Sequence, residues 1–134
     1  MKQLTSNSAH SRHALHYHLV WCVKYRRSVL ITEIGDRIKE IIIQIAAEQN
    51  CIITAIETDV DHVHILLELK PTHSIPKLVQ LFKGRSARLI FQEFPFIKNR
   101  LWGGHLWSPS YYIASVGGAP LQTIKRYVES QREK

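Results

Sequence analysis

A chain of 134 residues can bury one substantial core but is short for two, so a single unit over residues 1–134 is expected. Eighteen Lys and Arg against eleven Asp and Glu leave a net charge of +7 with neutral histidines, which favours a polyanionic partner, nucleic acid first. No apolar run approaches a membrane span, residues 1–8 lack a secretory core, and Cys22 and Cys51 have no zinc or redox spacing; a cytoplasmic protein with reduced core thiols and no membrane partner is expected.

A polar tail runs to about His13. Alternation from His16 to Tyr25 predicts a strand that sends Tyr17, Leu19, Trp21 and Val23 to one face. Ile34, Ile38, Ile41, Ile42 and Ile45 then recur at helical spacing, after a Thr32 cap and before a closing Asn50. The run from Cys51 to Thr58 is rich in isoleucine and threonine, and Val60-Asp61 separates it from a strand that starts at His62, so the two predict a hairpin. Ser74-Ile75-Pro76 opens a second helix, whose buried side holds Leu78, Val79, Phe82 and Leu89 and which Phe94-Pro95 ends. A stretch with Gly, Trp and Pro leads to a last strand at about Tyr111 to Val116. Gly117-Gly118 then turns the chain into a C-terminal helix over about residues 119–134, with Pro120 in its first turn and Leu121, Ile124 and Val128 as its apolar stripe.

This order predicts an α+β fold, a ferredoxin-like antiparallel sheet with two helices on one face and an extra C-terminal helix. The other face of such a sheet stays open, and a strand of nucleic acid could lie there.

Two features could give that face chemistry. In Asp61-His62-Val63-His64, alternation puts Val63, Ile65, Leu67 and Leu69 toward the core and both imidazoles outward, side by side, where they could hold one metal ion. Two histidines can alternate on a half-exposed strand with no ligand at all, so the pair needs company. The C-terminal helix offers it: Tyr127 and Gln131, four residues apart, place a phenol that could attack beside an amide oxygen that could coordinate. The blander alternative is that Tyr127 widens the apolar stripe. His16-Tyr17-His18 has the same His-x-His form but no preceding acidic residue, and reads as support or packing.

Phosphate contacts are expected at Lys24, Arg26 and Arg27, which flank Tyr25, and on one sector of the second helix at Lys77, Arg85 and Arg88 beside Gly84. Lys83 projects elsewhere. The aromatic connection from Leu101 to Tyr112 could bring Trp102 and His105 against unpaired bases, or could bury Trp102 and Trp107 in the core.

Taken together, Asp61-His62-Val63-His64, Tyr127-x-x-x-Gln131, the segment from Tyr17 to Arg27, Lys83-Gly84-Arg85-Ser86-Ala87-Arg88 and Leu101-Trp102-Gly103-Gly104 resemble the single-tyrosine (IS200-like) transposases of the His-hydrophobic-His (HUH) class, which mobilise the smallest insertion sequences. The resemblance spans about Tyr17 to Gln131. It implies that His62, His64 and Gln131 hold Mg²⁺ or Mn²⁺, although zinc also suits imidazoles. It further implies that Tyr127, helped by the metal or by Lys125 and Arg126, attacks a phosphodiester of single-stranded DNA. The product would be a 5′-phosphotyrosine and a free 3′-hydroxyl, with rejoining by transesterification and no ATP. A homodimer that can share tyrosine helices about Gly117-Gly118, and DNA hairpins near element ends as partners, belong to the same implication. Two other classes stay open: a replication initiator or relaxase-like nickase, and a single-strand DNA binding module without catalysis.

Overall fold

The computed structural model describes residues 15–116 and 121–131, without the side chains of Trp102 and Leu121. The polar tail and the Gly117-Gly118 turn therefore lie outside the described residues. The elements are β1 (Leu15–Cys22), α1 (Thr32–Glu48), β2 (Ile52–Asp59), β3 (His62–Leu69), α2 (Ile75–Glu93), β4 (Tyr112–Ser115) and α3 (Leu121–Ser130), with 3₁₀ turns at Lys24–Arg26, Pro95–Arg100 and Trp102–Gly104. The four strands form one sheet in the order β2-β3-β1-β4, antiparallel at every step.

Local chemistry accounts for the helix ends. At the start of α1 the chain departs from expectation: Ile31, extended at φ −80° and ψ 163°, occupies the cap position, and Thr32 is already helical. The Ile31 carbonyl accepts from Gly35 N–H at 2.9 Å, while no side chain caps the end. At the far end Asn50 takes φ 58°, a left-handed turn that asparagine tolerates, and Cys51 N–H reaches back to the Ala46 carbonyl at 3.0 Å. Ser74 caps α2, its hydroxyl accepting from Lys77 N–H at 3.4 Å, and Phe94 closes the helix ahead of Pro95.

Both α1 and α2 cover one face of the sheet. Leu19, Trp21, Val63, Ile65 and Leu67 from the strands meet Ile34, Ile38, Ile42 and Ile45 of α1 and Leu78, Val79, Phe82 and Ile90 of α2 in a continuous buried core. Trp21 stacks on Phe82 with ring centroids 6.1 Å apart and meets the edge of Trp107 at 5.7 Å. The Trp107 indole N–H donates to the Lys83 carbonyl at 3.1 Å and the buried Ser86 hydroxyl at 3.0 Å. Trp107 is thus a core residue, the second of the two roles open to the aromatic connection.

Opposite faces of β1 alternate as expected, and a second, smaller cluster lies on the far side of the sheet. Val20 and Cys22 of β1 meet Ile124 and Val128 of α3 there, with Tyr112 and Tyr127 packed alongside. The C-terminal helix therefore sits on the face that α1 and α2 leave uncovered. Among the described residues no helix is long and apolar enough to cross a membrane.

Candidate active site

Sheet register brings the chemistry-bearing residues onto that second face. One row across β2, β3, β1 and β4 reads Glu57, His64, Val20, Tyr112; the next reads Asp59, His62, Cys22. Paired residues in an antiparallel sheet share a face, so both histidines stand beside the two β1 residues on which α3 rests. Each is half-buried.

The two imidazoles have different partners. His62 Nδ1 lies 2.9 Å from Asp61 Oδ1. His64 Nε2 lies 3.0 Å from Nδ1 of His18, with ring centroids 5.2 Å apart, so the second His-x-His motif supports the first as the sequence suggests. Burial, followed by the nearby His18 and His62, pushes His64 below the ordinary imidazole range, which favours the neutral form that a metal ion requires.

Arg26 behaves otherwise than expected. Instead of joining Lys24 and Arg27 as a phosphate contact, it turns inward, donates from Nε to Asp61 Oδ2 at 3.0 Å and completes the ion pair with Nη2 2.9 Å from the same oxygen. The turn that delivers it has left-handed backbone at Tyr25 (φ 57°) and Arg26 (φ 52°). Nothing in the run Lys-Tyr-Arg-Arg signals such a conformation, since neither residue is a glycine.

Tyr127 and Gln131 meet on a serine turn. The phenol ring packs against Tyr112 at 5.6 Å, and its Oη is 3.0 Å from Ser110 Oγ. The amide oxygen of buried Gln131 accepts from Ser110 Oγ at 2.9 Å and from Ser108 Oγ at 3.3 Å. A serine hydroxyl carries one proton, and Ser110 gives it to an oxygen that can only accept; Tyr127 therefore donates its own proton to Ser110. Burial pushes the phenol up to about 12 from an ordinary 10. In this position Tyr127 is fully protonated at neutral pH.

From the other side, the turn is held by Lys83. Its ammonium donates to the carbonyls of Ser108 at 2.7 Å and Ser110 at 3.0 Å, and burial pushes it down to about 8. Ser108 N–H also donates to the Cys22 carbonyl at 2.9 Å, tying the turn to β1. Sequence reasoning missed Ser108, Ser110 and the task of Lys83. The available signal was that Lys83 falls outside the basic sector of its helix.

Among the described residues no hydrogen bond joins Tyr127 or Gln131 to His62 or His64. Tyr127 rests on β4, two strands from β3, which corresponds to about 10 Å between strand axes. The structure thus places the pair and the helix on one face, in neighbouring rows, with separate hydrogen-bond partners.

The other basic residues are outward. Lys24 Nζ lies 5.2 Å and the Arg27 guanidinium 6.0 Å from the exposed Tyr25 ring. Lys77 and Arg88 are exposed and Gly84 faces open space, while Arg85 donates to Glu48 at 2.7 Å. His105 is exposed; the side chain of Trp102 lies outside the described part.

The α+β fold thus carries two histidines and the tyrosine helix on the sheet face opposite α1 and α2, and sequence comparison gives the class, a transposase. The chain belongs to the family described as Transposase IS200 like, whose model matches residues 11–131. It is similar to the ISDra2 transposase TnpA of Deinococcus radiodurans, 46% identical over 120 residues that cover 90% of this chain and 86% of that protein. It is 30% identical over 125 residues to the transposase for insertion sequence element IS200 of Salmonella typhimurium, covering 93% of this chain and 82% of that one. A Deinococcus radiodurans crystal structure with a provisional transposase assignment superposes at a TM-score of 0.85, with 39% identity and full coverage of both chains. A REP-associated tyrosine transposase bound to a REP hairpin shares the fold at a TM-score of 0.59, with 15% identity over 86% of this chain and 62% of that one.

Proposed function

We propose that this transposase cuts and rejoins single-stranded DNA at insertion-sequence ends, with Tyr127 as the nucleophile and His62, His64 and Gln131 as the metal-binding set. The observation that carries the reading is the shared face: α3 rests on Val20 and Cys22, the cross-strand neighbours of His64 and His62. The strand order β2-β3-β1-β4, with α3 as an addition, supports reading the fold as a ferredoxin-like sheet whose extra helix bears the nucleophile.

The donor chemistry fits a divalent ion. His62 gives its Nδ1 to a carboxylate and keeps Nε2 as a lone-pair donor, and His64 is biased toward neutrality. Gln131 would join only on leaving its two serine donors, and His64 would use Nε2 only on leaving His18. When bound, Mg²⁺ or Mn²⁺ supplies Lewis-acid polarisation of an oxygen on the scissile phosphate.

The chain's own residues do the rest. Tyr127 Oη attacks phosphorus, a P–O bond to the phenol forms, and the bond to the 3′ oxygen breaks, leaving a 3′-hydroxyl and a 5′-phosphotyrosine. A second 3′-hydroxyl then displaces the phenol and restores a phosphodiester, so bond energy is conserved and ATP is not needed. Before attack Tyr127 must give up Ser110 and its half-buried position, which removes the cause of its raised pKa. Lys125 and Arg126, both exposed on α3, are the adjacent cations that favour the phenolate. A homodimer in which α3 of one subunit serves the histidines of the other is compatible with so small an apolar attachment, chiefly Ile124 and Val128 among the described residues. DNA, including hairpins near the element ends, would meet Lys24, Arg27, Lys77, Arg85, Arg88, Trp102 and His105.

The test is a labelled single strand carrying a hairpin from the flanking genomic sequence, incubated with the protein and Mn²⁺ or EDTA and run on a denaturing gel. A metal-dependent covalent band, absent from Tyr127→Phe and His64→Ala, is expected. Hairpin binding with no such band would favour the binding module instead.

A further inference from the structure

We propose that Asp61, anchored by Arg26, is the positioning residue that sets the tautomer and aim of His62; this rests on the reading of His62 as a metal ligand. Asp61 is only 8% exposed, yet both of its carboxylate oxygens are in use. Oδ1 faces His62 Nδ1 at 2.9 Å, and Oδ2 accepts Arg26 Nε–H at 3.0 Å with Nη2 2.9 Å away in the same ion pair. A carboxylate can only accept, so the proton of the His62 ring resides on Nδ1 and Nε2 is left as the donor atom for a cation. Free histidine ordinarily prefers the opposite tautomer, so this bias comes from the site.

The backbone is arranged to keep Asp61 there. Val23 N–H donates to the Asp61 carbonyl at 2.9 Å and Leu30 N–H to the Val60 carbonyl at 2.9 Å, so the hairpin turn is pinned on both sides by the segment leaving β1. That same segment takes two consecutive left-handed residues, Tyr25 and Arg26, to bring the guanidinium under Asp61. Two adjacent non-glycine residues in this region persist only where surrounding contacts hold them. A continuous chain therefore runs from the strained turn through Arg26 and Asp61 to the imidazole, the kind of outer support that orients metal-binding histidines.

The alternative is a buried ion pair that happens to adjoin a histidine. Long-range ¹⁵N–¹H correlation on the metal-free, ¹⁵N-labelled full chain near pH 8 separates the two, because it reads the His62 tautomer without metal or DNA. The expected wild-type signature is Nδ1–H, with Asp61→Ala moving the ring toward Nε2–H. In parallel, calorimetry should show the Mn²⁺ affinity of Asp61→Ala reduced about 10–100-fold, with Asp61→Asn, which keeps an acceptor oxygen, reduced less. An Nε2–H signature in the wild type overturns the proposal even if Asp61→Ala does not fold. So does a folded Asp61→Ala with unchanged tautomer and Mn²⁺ affinity. An Asp61-dependent tautomer and Mn²⁺ affinity in a chain that forms no DNA adduct supports this inference while removing the reaction proposed above.

Discussion

The two faces of the sheet are built by the same alternation and do opposite things. The inner face is closed by α1 and α2 with large apolar side chains, Trp21, Phe82 and a row of isoleucines, that find their only favourable place in the core. The outer face carries two histidines, a small apolar patch and a helix whose polar side chains are held by two serine hydroxyls. Hydrogen bonds of that kind are worth about 0.5–1.5 kcal/mol each, so in the proposed reaction the attachment can be exchanged for contacts with DNA. The main core and the proposed site are thereby separated by the thickness of one sheet.

The sharpest division should appear at Tyr127. Tyr127→Phe is expected to abolish the covalent adduct while leaving denaturant stability within about 1 kcal/mol, since it removes one hydrogen bond and keeps the ring against Tyr112. Parallel adduct gels and urea titrations check both halves. On the inner face the balance reverses: Phe82→Ala should cost about 3–5 kcal/mol by urea unfolding. Val128→Ala, on the outer cluster, should cost about 1–2 kcal/mol by the same measurement. Equal costs at these two positions would break the distinction between the faces.

Lys83 connects them, reaching from α2 to the serine turn. Lys83→Met leaves two carbonyls short of a donor and should cost about 1–3 kcal/mol, again by urea unfolding, with Mn²⁺ binding at the histidines unchanged. The last effect is confined to high pH. Because the Tyr127 phenol is raised to about 12 in the fold, it holds its proton longer than in the unfolded chain; its contribution is complete below about pH 10 and is lost as pH rises toward 12. Phenolate absorbance should therefore show a late tyrosine in the wild type that is missing from Tyr127→Phe.

Much of this was legible from period alone. Alternation in β1 and β3 separates Trp21 and Val63 from Val20 and His64, and isoleucine spacing marks α1, because burial on one face leaves a pattern in the chain. Tyr127 and Gln131 also emerged as neighbours, since helical spacing is local. What escaped depends on contacts distant in sequence. The inward turn of Arg26 needs a buried partner 35 residues away at Asp61 and an unusual backbone at Tyr25. The role of Lys83 needs a turn 25 residues on, at Ser108, to fold over it, and Trp107 became a core residue for the same reason. Thr32 looked like a cap because its residue type suits one, but the extended position fell one residue earlier, on Ile31.

In the proposed reaction Tyr127 Oη, on the outer face, is the atom that takes the DNA. This role is tested most directly by trapping the product on hairpin-bearing single-stranded DNA with Mn²⁺, digesting the adduct with nuclease and protease, and mapping it by tandem mass spectrometry. A nucleotide remnant linked through a 5′ phosphate to Tyr127 is the expected result. A remnant on any other residue, or one attached through a 3′ phosphate, would contradict it.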